Sequence, residues 1–380
     1  MLQRCTDDHS TTFSALADMI AYHYQLNLDS RWERTAVNSL HIEPLDKTSA
    51  LLGNPSAFAS DVTVEAIEDT AERTGLAIKW DGQFYPLRET AFKGLLDRAK
   101  ISGTVLPKLK KEDLAFILNA CLQQHNAEAL LLVRDQKVSA AHSGDERDYS
   151  ILPINELLNS IGDTLQEKFA GNEFESGYSD HSYTCAAWSF PLQTEDLLGA
   201  YKKTLESMGR KALAAKIVPG IRFCTSDTGV SSAKVSALLV GMPAPVLIGG
   251  VLEVQHRLQT KVDNFKDNLD LLFSQFGNTI KKLEKLTEIF LDHPVNAMTA
   301  VCKKLSMPKK AALEAITMFE TANGAAPATA HDVFMALQEI IFILKTEKTP
   351  EAKMLVIQEN LSRALSLRWG DFDLARKVEY

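Results

Sequence analysis

Residues 219–241 constrain the fold most, because two β-prone segments are joined there by a loop of small polar residues. Ile221 lies in the first segment and Val235 in the second, and the loop contains Ser226, Asp227 and Thr228. Loops of this composition are typical of connections between antiparallel strands. A mixed pattern of helices and strands precedes this pair, and an almost uninterrupted helical pattern follows it. We therefore expect the organisation of the chain to change here.

Two hairpins are predicted before this strand pair. Asp81 and Gly82 separate two alternating β-prone runs over residues 76–87, which is a strong signal for a two-residue turn. A second hairpin is predicted over residues 129–142, with its turn at Asp135 and Gln136. Helical segments interrupt these strands without alternating regularly with them. The predicted fold class is therefore α+β, with a mixed, mainly antiparallel sheet domain and its helices over residues 1–250.

Residues 251–380 are predicted to form an all-α C-terminal domain, a bundle with one long helix. Residues 252–293 contain no proline, and apolar residues recur there at intervals of three or four. This pattern predicts a single helix of about 40 residues, roughly 60 Å long, with one apolar seam that includes Phe265, Leu269 and Phe276.

Later helices of the same chain can cover this seam, or the seam can lie at a subunit contact. A helix of this length extends beyond the bundle that the remaining C-terminal residues can build. We therefore expect the seam to contribute to a homo-oligomer.

The composition limits where the protein can be located and which cofactors or metals it can hold. The chain has 380 residues, of which 45% are hydrophobic and 24% charged, and its first residues do not resemble a signal peptide. No apolar run is long enough to span a membrane, so a cytoplasmic protein without a membrane partner is expected. The five cysteines are widely spaced and form no C-x-x-C pair. We expect free thiols, no metal and no cofactor.

The formal net charge of −8 argues against a protein that coats nucleic acid with its whole surface. The final third of the chain is the only third that is not acidic, so a nucleic-acid partner is expected there or beside it. The candidate contact residues are Arg222, Lys234, His256, Arg257, Lys261, Lys281 and Lys282. Acidic residues are interleaved with them, and an ordinary solvated surface is the alternative interpretation.

The polar loop is a second candidate site. Ser226, Asp227 and Thr228 could hold a cation or a phosphate together with Arg222, although the same residue types also serve simply to close loops. A hydrolytic combination of Ser226 with His181 and Asp180 lacks the G-x-S-x-G elbow. The familiar phosphate-cradle, dinucleotide and zinc-protease motifs are also missing from the sequence. No catalytic residue is predicted.

Four segments in a fixed order resemble the phage and plasmid proteins grouped as domain of unknown function 932. They are residues 134–149, which begin at Arg134 and end at Tyr149, residues 225–229, then His256, and residues 329–337. The resemblance spans roughly residues 76–345. It implies a protein of a mobile element in a bacterial host, and it implies no particular activity.

These observations favour a non-enzymatic binding protein of a phage or other mobile element, associated with nucleic acid in replication, recombination or defence. One alternative is an enzyme with a small-molecule or metal-dependent site around Arg222, Ser226 and Asp227. Another is a structural or host-inhibitory protein whose partner is a host protein.

Overall fold

A computed structural model describes residues 4–242, 245–257, 260–269, 271–324 and 326–380. It confirms the α+β fold class, with a large antiparallel sheet and a C-terminal helical region. The strands are β1 (Ser10–Phe13), β2 (Arg31–Ala36), β3 (His41–Pro44), β4 (Leu76–Trp80), β5 (Gln83–Pro86), β6 (Glu128–Arg134), β7 (Lys137–Ser143), β8 (Glu173–Asp180), β9 (Thr184–Ser189), β10 (Val218–Thr225), β11 (Ala233–Val240), β12 (Val246–Val254), β13 (Phe290–Leu291) and β14 (Ala328–Thr329).

Helices lie between these strands and dominate the last third of the chain, with short 3-10 turns connecting several of them. The helices are α1 (Leu16–Leu28), α2 (Val64–Glu72), α3 (Glu89–Arg98), α4 (Lys111–Leu122), α5 (Ile154–Lys168), α6 (Thr194–Ser207), α7 (Lys211–Lys216), α8 (Val262–Leu269), α9 (Leu272–Lys285), α10 (Pro294–Lys304), α11 (Lys309–Asn323), α12 (Ala330–Leu337), α13 (Glu339–Thr346) and α14 (Glu351–Ser362).

The strand pair predicted over residues 219–241 is confirmed, and it lies inside a larger sheet with the order β1-β8-β9-β10-β11-β12. Strand β10 pairs with β11 so that Phe223 lies opposite Val235. Both side chains are buried in the main hydrophobic core, where the Phe223 ring lies 5.8 Å from that of Phe265 in α8. Burying an aromatic side chain of this size contributes roughly 1.5–3 kcal/mol. Helices α5, α6, α8 and α9 contribute to the same core and fix this sheet in place.

Both predicted hairpins are also confirmed. Asp81 and Gly82 connect β4 to β5 with φ angles of 49° and 78°, and Asp135 and Gln136 connect β6 to β7 with φ angles of 52° and 70°. Positive φ at both central positions is typical of the type I′ turn, whose twist matches that of the strands. The hairpins belong to two three-stranded sheets, β3-β4-β5 and β2-β6-β7.

The predicted single long helix over residues 252–293 is wrong. Residues up to Val254 belong to the edge strand β12, and the helical part is divided into α8 and α9. Residues 258, 259 and 270, which the prediction also covered, lie outside the described residues. Leu252 and Val254 fit a helical spacing by coincidence, because their pairing with Val235 and Ala233 of β11 determines their conformation.

The seam of the predicted helix is covered within the chain. Phe265, Leu269 and Phe276 are all buried, and they share one hydrophobic core with the large sheet and the C-terminal helices. The seam therefore gives no support to a subunit contact. Strand β12 of the large sheet spans residue 250, where the sequence predicts a domain boundary. The division into two domains stays a prediction.

No helix among the described residues is both long and apolar enough to cross a membrane.

Candidate functional site

A cleft of about 810 Å³ lies where α3, the end of β7, the loop between β10 and β11, and the end of β12 meet. We call it the central cleft. The side chains that line it are mostly polar or charged, and they come from segments far apart in sequence. They include Lys93, Asp97, Arg98, His142, Asp148, Tyr149, Ser226, Thr228, Ser231, Ser232, Lys234, Glu253, Gln255, His256 and Arg257.

The loop after β10 forms one wall of the central cleft and is closed by its own hydroxyl groups. Ser226 Oγ donates a hydrogen bond to the carbonyl oxygen of Ser182 at 2.6 Å, and Thr228 Oγ1 donates to the same oxygen at 3.1 Å. The backbone N–H of Thr228 donates to Ser226 Oγ at 3.1 Å. These bonds occupy the hydroxyl protons, so the two side chains first of all fix the loop against the β8–β9 turn.

Asp227 anchors this loop from beneath. Its Oδ2 accepts a hydrogen bond from Arg134 Nη2 at 2.7 Å, and both side chains are only 7% exposed. The Arg134 Nε also donates to Ser30 Oγ at 2.8 Å. A buried ion pair of this kind is costly to break, because removing one partner leaves the other charge without compensation. Asp227 is thus held in place rather than presented to the cleft.

Three aromatic rings form a column beside the loop, and a fourth ring lies at its side. The rings of His142 and Tyr149 are nearly parallel, with centroids 3.6 Å apart, and His256 lies next to Tyr149 at 5.6 Å. Trp32 lies beside the His142–Tyr149 pair, 6.0 Å from His142 and 5.9 Å from Tyr149. Tyr149 is therefore buried between His142 and His256, and it covers one face of His142.

Hydrogen bonds determine which ring nitrogen of each histidine carries the proton. His142 Nε2 donates to the main-chain oxygen of Asp227 at 2.7 Å, and the Tyr149 hydroxyl donates to the same oxygen at 3.0 Å. His256 Nδ1 donates to the carbonyl oxygen of Ser150 at 3.3 Å. Burial lowers the pKa of His142 to about 4 and also lowers the pKa of His256, because it disfavours the charged imidazolium. Both rings are neutral at pH 7.

Positive charge in the central cleft comes from four side chains. Lys93 pairs with Glu89 at 3.0 Å, and Lys234 pairs with Glu359 at 3.3 Å. Arg98 and Arg257 form no ion pair with another described residue, and the Arg98 Nε is buried without a hydrogen-bond partner among them. These two guanidinium groups are therefore the ones available to an anionic ligand.

The structure brings most of the predicted site residues together. Lys234, His256, Arg257, Ser226 and Thr228 line the central cleft, and Asp227 lies directly beneath it.

The remaining predicted residues do not line the central cleft. Arg222 is buried under α14, where its guanidinium donates to the side-chain oxygen of Gln358. Lys261, Lys281 and Lys282 are exposed, the first before α8 and the other two on α9.

Sequence reasoning missed Arg98, Trp32 and, in the ring column, His142 and Tyr149 as parts of the site. Arg134, His142 and Tyr149 all lie within the segment that carries the family resemblance, so that segment was the signal that could have identified them. No sequence signal pointed to Arg98, because the pattern of its helix is that of an ordinary amphipathic helix. The resembling segment at residues 329–337 is placed elsewhere: Thr329 and Asp332 form a capping box at the start of α12.

The hydrolytic combination of Ser226, His181 and Asp180 is not assembled in the structure. The three residues line one small cavity of about 10 Å³. The Ser226 hydroxyl, however, donates to the Ser182 carbonyl, and Asp180 Oδ1 accepts the backbone N–H groups of Ser182 and Tyr183. The carboxylate thus closes the β8–β9 turn, and nothing in this geometry activates the hydroxyl as a nucleophile.

In the part of the chain that the structure describes, no group of three or more His, Cys, Asp or Glu side chains is arranged to hold a metal ion. None of the five cysteines forms a disulfide.

Comparisons with protein-family models, with curated proteins and with solved structures find no match to this chain.

Proposed function

We propose that the protein binds nucleic acid and that the central cleft is the binding site. The observation that carries this proposal is the pair of guanidinium groups, Arg98 and Arg257, which face one cleft without a carboxylate partner among the described residues. Planar guanidinium groups bind phosphate oxygens through paired hydrogen bonds. Arg98 comes from α3 and Arg257 follows β12, so a bound phosphate group would connect two parts of the fold.

Lys234 in the cleft wall supports the same assignment, because basic side chains are usual donors to phosphate oxygens. The hydroxyl groups of Ser231 and Ser232 beside it donate to the Ser232 carbonyl oxygen and to Glu253. The four cations come from α3, from β11 and from the segment after β12. They therefore follow the cleft rather than forming one compact point, as expected for contacts along a strand.

The proposal places this activity in a phage or other mobile element of a bacterial host, in replication, recombination or defence, as the family resemblance implies. We place the protein in the host cytoplasm, where such nucleic acid is processed. Every side chain invoked here comes from one chain.

Retention of labelled DNA at about 0.05 M and about 0.2 M salt tests the proposal, since phosphate-driven binding weakens steeply with salt. The double variant Arg98→Ala/Arg257→Ala should lose most of the affinity. Lys281→Ala/Lys282→Ala is the matched control, because it removes the same charge from exposed positions outside the cleft. No retention of wild-type protein at low salt, or equal losses in the two double variants, would contradict the proposed site.

A further inference from the structure

The central cleft has the size of a small-ligand site. Its volume of about 810 Å³ falls within the range of pockets that enclose a single small molecule. Proteins that read duplex DNA insert a helix or a β-ribbon into a groove. The central cleft is concave, so the ligand must enter the protein rather than the protein entering a groove of the ligand. This geometry favours an unpaired nucleotide over a duplex.

The charge on the cleft walls is mixed, which a simple phosphate site would avoid. The carboxylates of Asp97, Asp148 and Glu253 line the same cleft as the two guanidinium groups, and all three residues are exposed. Carboxylates repel phosphate but accept hydrogen bonds from exocyclic amino groups of nucleobases, as Asp and Glu do with cytosine N4. A nucleotide with an amino-bearing base contains both a phosphate group for the guanidinium groups and an exocyclic amino group for the carboxylates.

The ring column limits how a base can be held. Sequence-tolerant single-strand binders stack bases on exposed aromatic faces. The Tyr149 ring is buried between His142 and His256, and it covers one face of His142. The column therefore offers no continuous stacking surface, and the polar walls of the cleft favour recognition through base edges and hydrogen bonds, which depends on which base is present.

From these observations we infer that the central cleft receives one unpaired nucleotide of a strand, whose phosphate binds Arg98 and Arg257 and whose amino-bearing base faces the carboxylates. Cytosine, adenine and guanine each carry an exocyclic amino group at the pairing edge, whereas thymine has none. The inference rests on the proposed function and adds the class of ligand to it.

Fluorescence anisotropy with labelled oligodeoxycytidine, oligothymidine and a duplex of mixed sequence tests the inference. Oligodeoxycytidine should bind about tenfold or more tightly than either of the others, in keeping with the discrimination that a well-paired base provides. Deoxycytidine monophosphate should displace it, and thymidine monophosphate should do so less well. Glu253→Gln with Asp148→Asn should reduce the preference for cytosine while leaving binding of oligothymidine no weaker.

The outcomes separate the two proposals. Equal affinity for duplex and single strands, both lost in Arg98→Ala/Arg257→Ala, would overturn the inference and leave nucleic-acid binding in place. Equal affinity for oligodeoxycytidine and oligothymidine would overturn the inferred recognition of the base and would also leave nucleic-acid binding in place. Tighter binding of the free monophosphate than of the oligonucleotide would show that the ligand of the cleft is a free nucleotide. It would overturn the inference that the bound nucleotide is part of a strand. No binding of any nucleic acid would remove the proposed function itself.

Discussion

Among single residues, His142 connects the ring column to the loop after β10. Its Nε2 donates to the Asp227 carbonyl, and its ring packs closely against the facing loop, since a Cβ on Gly229 would make a tight contact of 3.3 Å with His142 Cε1. Gly229 also has a φ of +79°, which favours glycine. The neutral state of His142 is therefore built into the packing of the cleft wall.

This neutrality makes stability depend on pH. Burial lowers the pKa of His142 from its usual 6.5 to about 4, so between these values the unfolded chain binds a proton that the folded protein does not. The resulting stability is present above pH 6.5 and is lost as the pH falls toward 4. At pH 5 the loss from this one group is about 2 kcal/mol.

Urea unfolding at pH 7 and pH 5 measures this effect. His23 and His331 are also buried, with pKa values lowered to about 3 and about 4, so the wild-type protein should lose stability over this range from several groups. His142→Asn should lose about 2 kcal/mol less than the wild type between the two pH values. An identical pH dependence in both proteins would show that His142 is not held neutral.

The turns are the elements that the sequence predicts best, because their signal is local. Asp81-Gly82 determines its turn through two residues with positive φ. The sequence patterns predicted no strand at the edge strands β1 and β2 or at β8, and the end of β12 was assigned to helix. Strand β8 is rich in Gly, Ser and acidic residues, and it is ordered by pairing with β1 and β9, which no local pattern reveals.

Gly82 provides a test at the scale of the hairpin. A Cβ at this position would meet no neighbouring atom, so Gly82→Ala adds backbone strain at a φ of 78° without a steric clash. We expect a loss of about 1 kcal/mol. Gly370→Ala is the matched control, because a Cβ there also meets open space while the backbone is not at positive φ. Chemical denaturation that finds the same loss in both variants would contradict the type I′ turn.

At the scale of the whole molecule, one hydrophobic core extends from the large sheet into the C-terminal helices. The sequence identified the apolar seam through Phe265, Leu269 and Phe276 but not its partner, since the spacing of apolar residues does not say which surface covers them. The central cleft shows the same limit. The polar loop and the basic residues after it were predicted, whereas the contribution of Arg98 depends on how α3 packs against β7.

Phe276→Asp tests whether the seam belongs to the core of one chain. The side chain is 1% exposed, and a charge introduced there without a partner costs several kcal/mol. We expect loss of cooperative thermal unfolding monitored by circular dichroism. A variant that instead remains folded with an unchanged midpoint, while light scattering shows a smaller assembly than the wild type, would place the seam at a subunit contact.

The salt dependence of single-stranded DNA binding tests the central cleft most directly. For single strands, each neutralised phosphate contributes about 0.7 to the slope of log affinity against log salt concentration. If Arg98 and Arg257 together bind one phosphate, Arg98→Ala/Arg257→Ala should make the slope shallower by about 0.7, while Lys281→Ala/Lys282→Ala leaves it at the wild-type value. A wild-type slope in the first variant and a shallower slope in the second would place the contacts on α9 and contradict a site in the cleft.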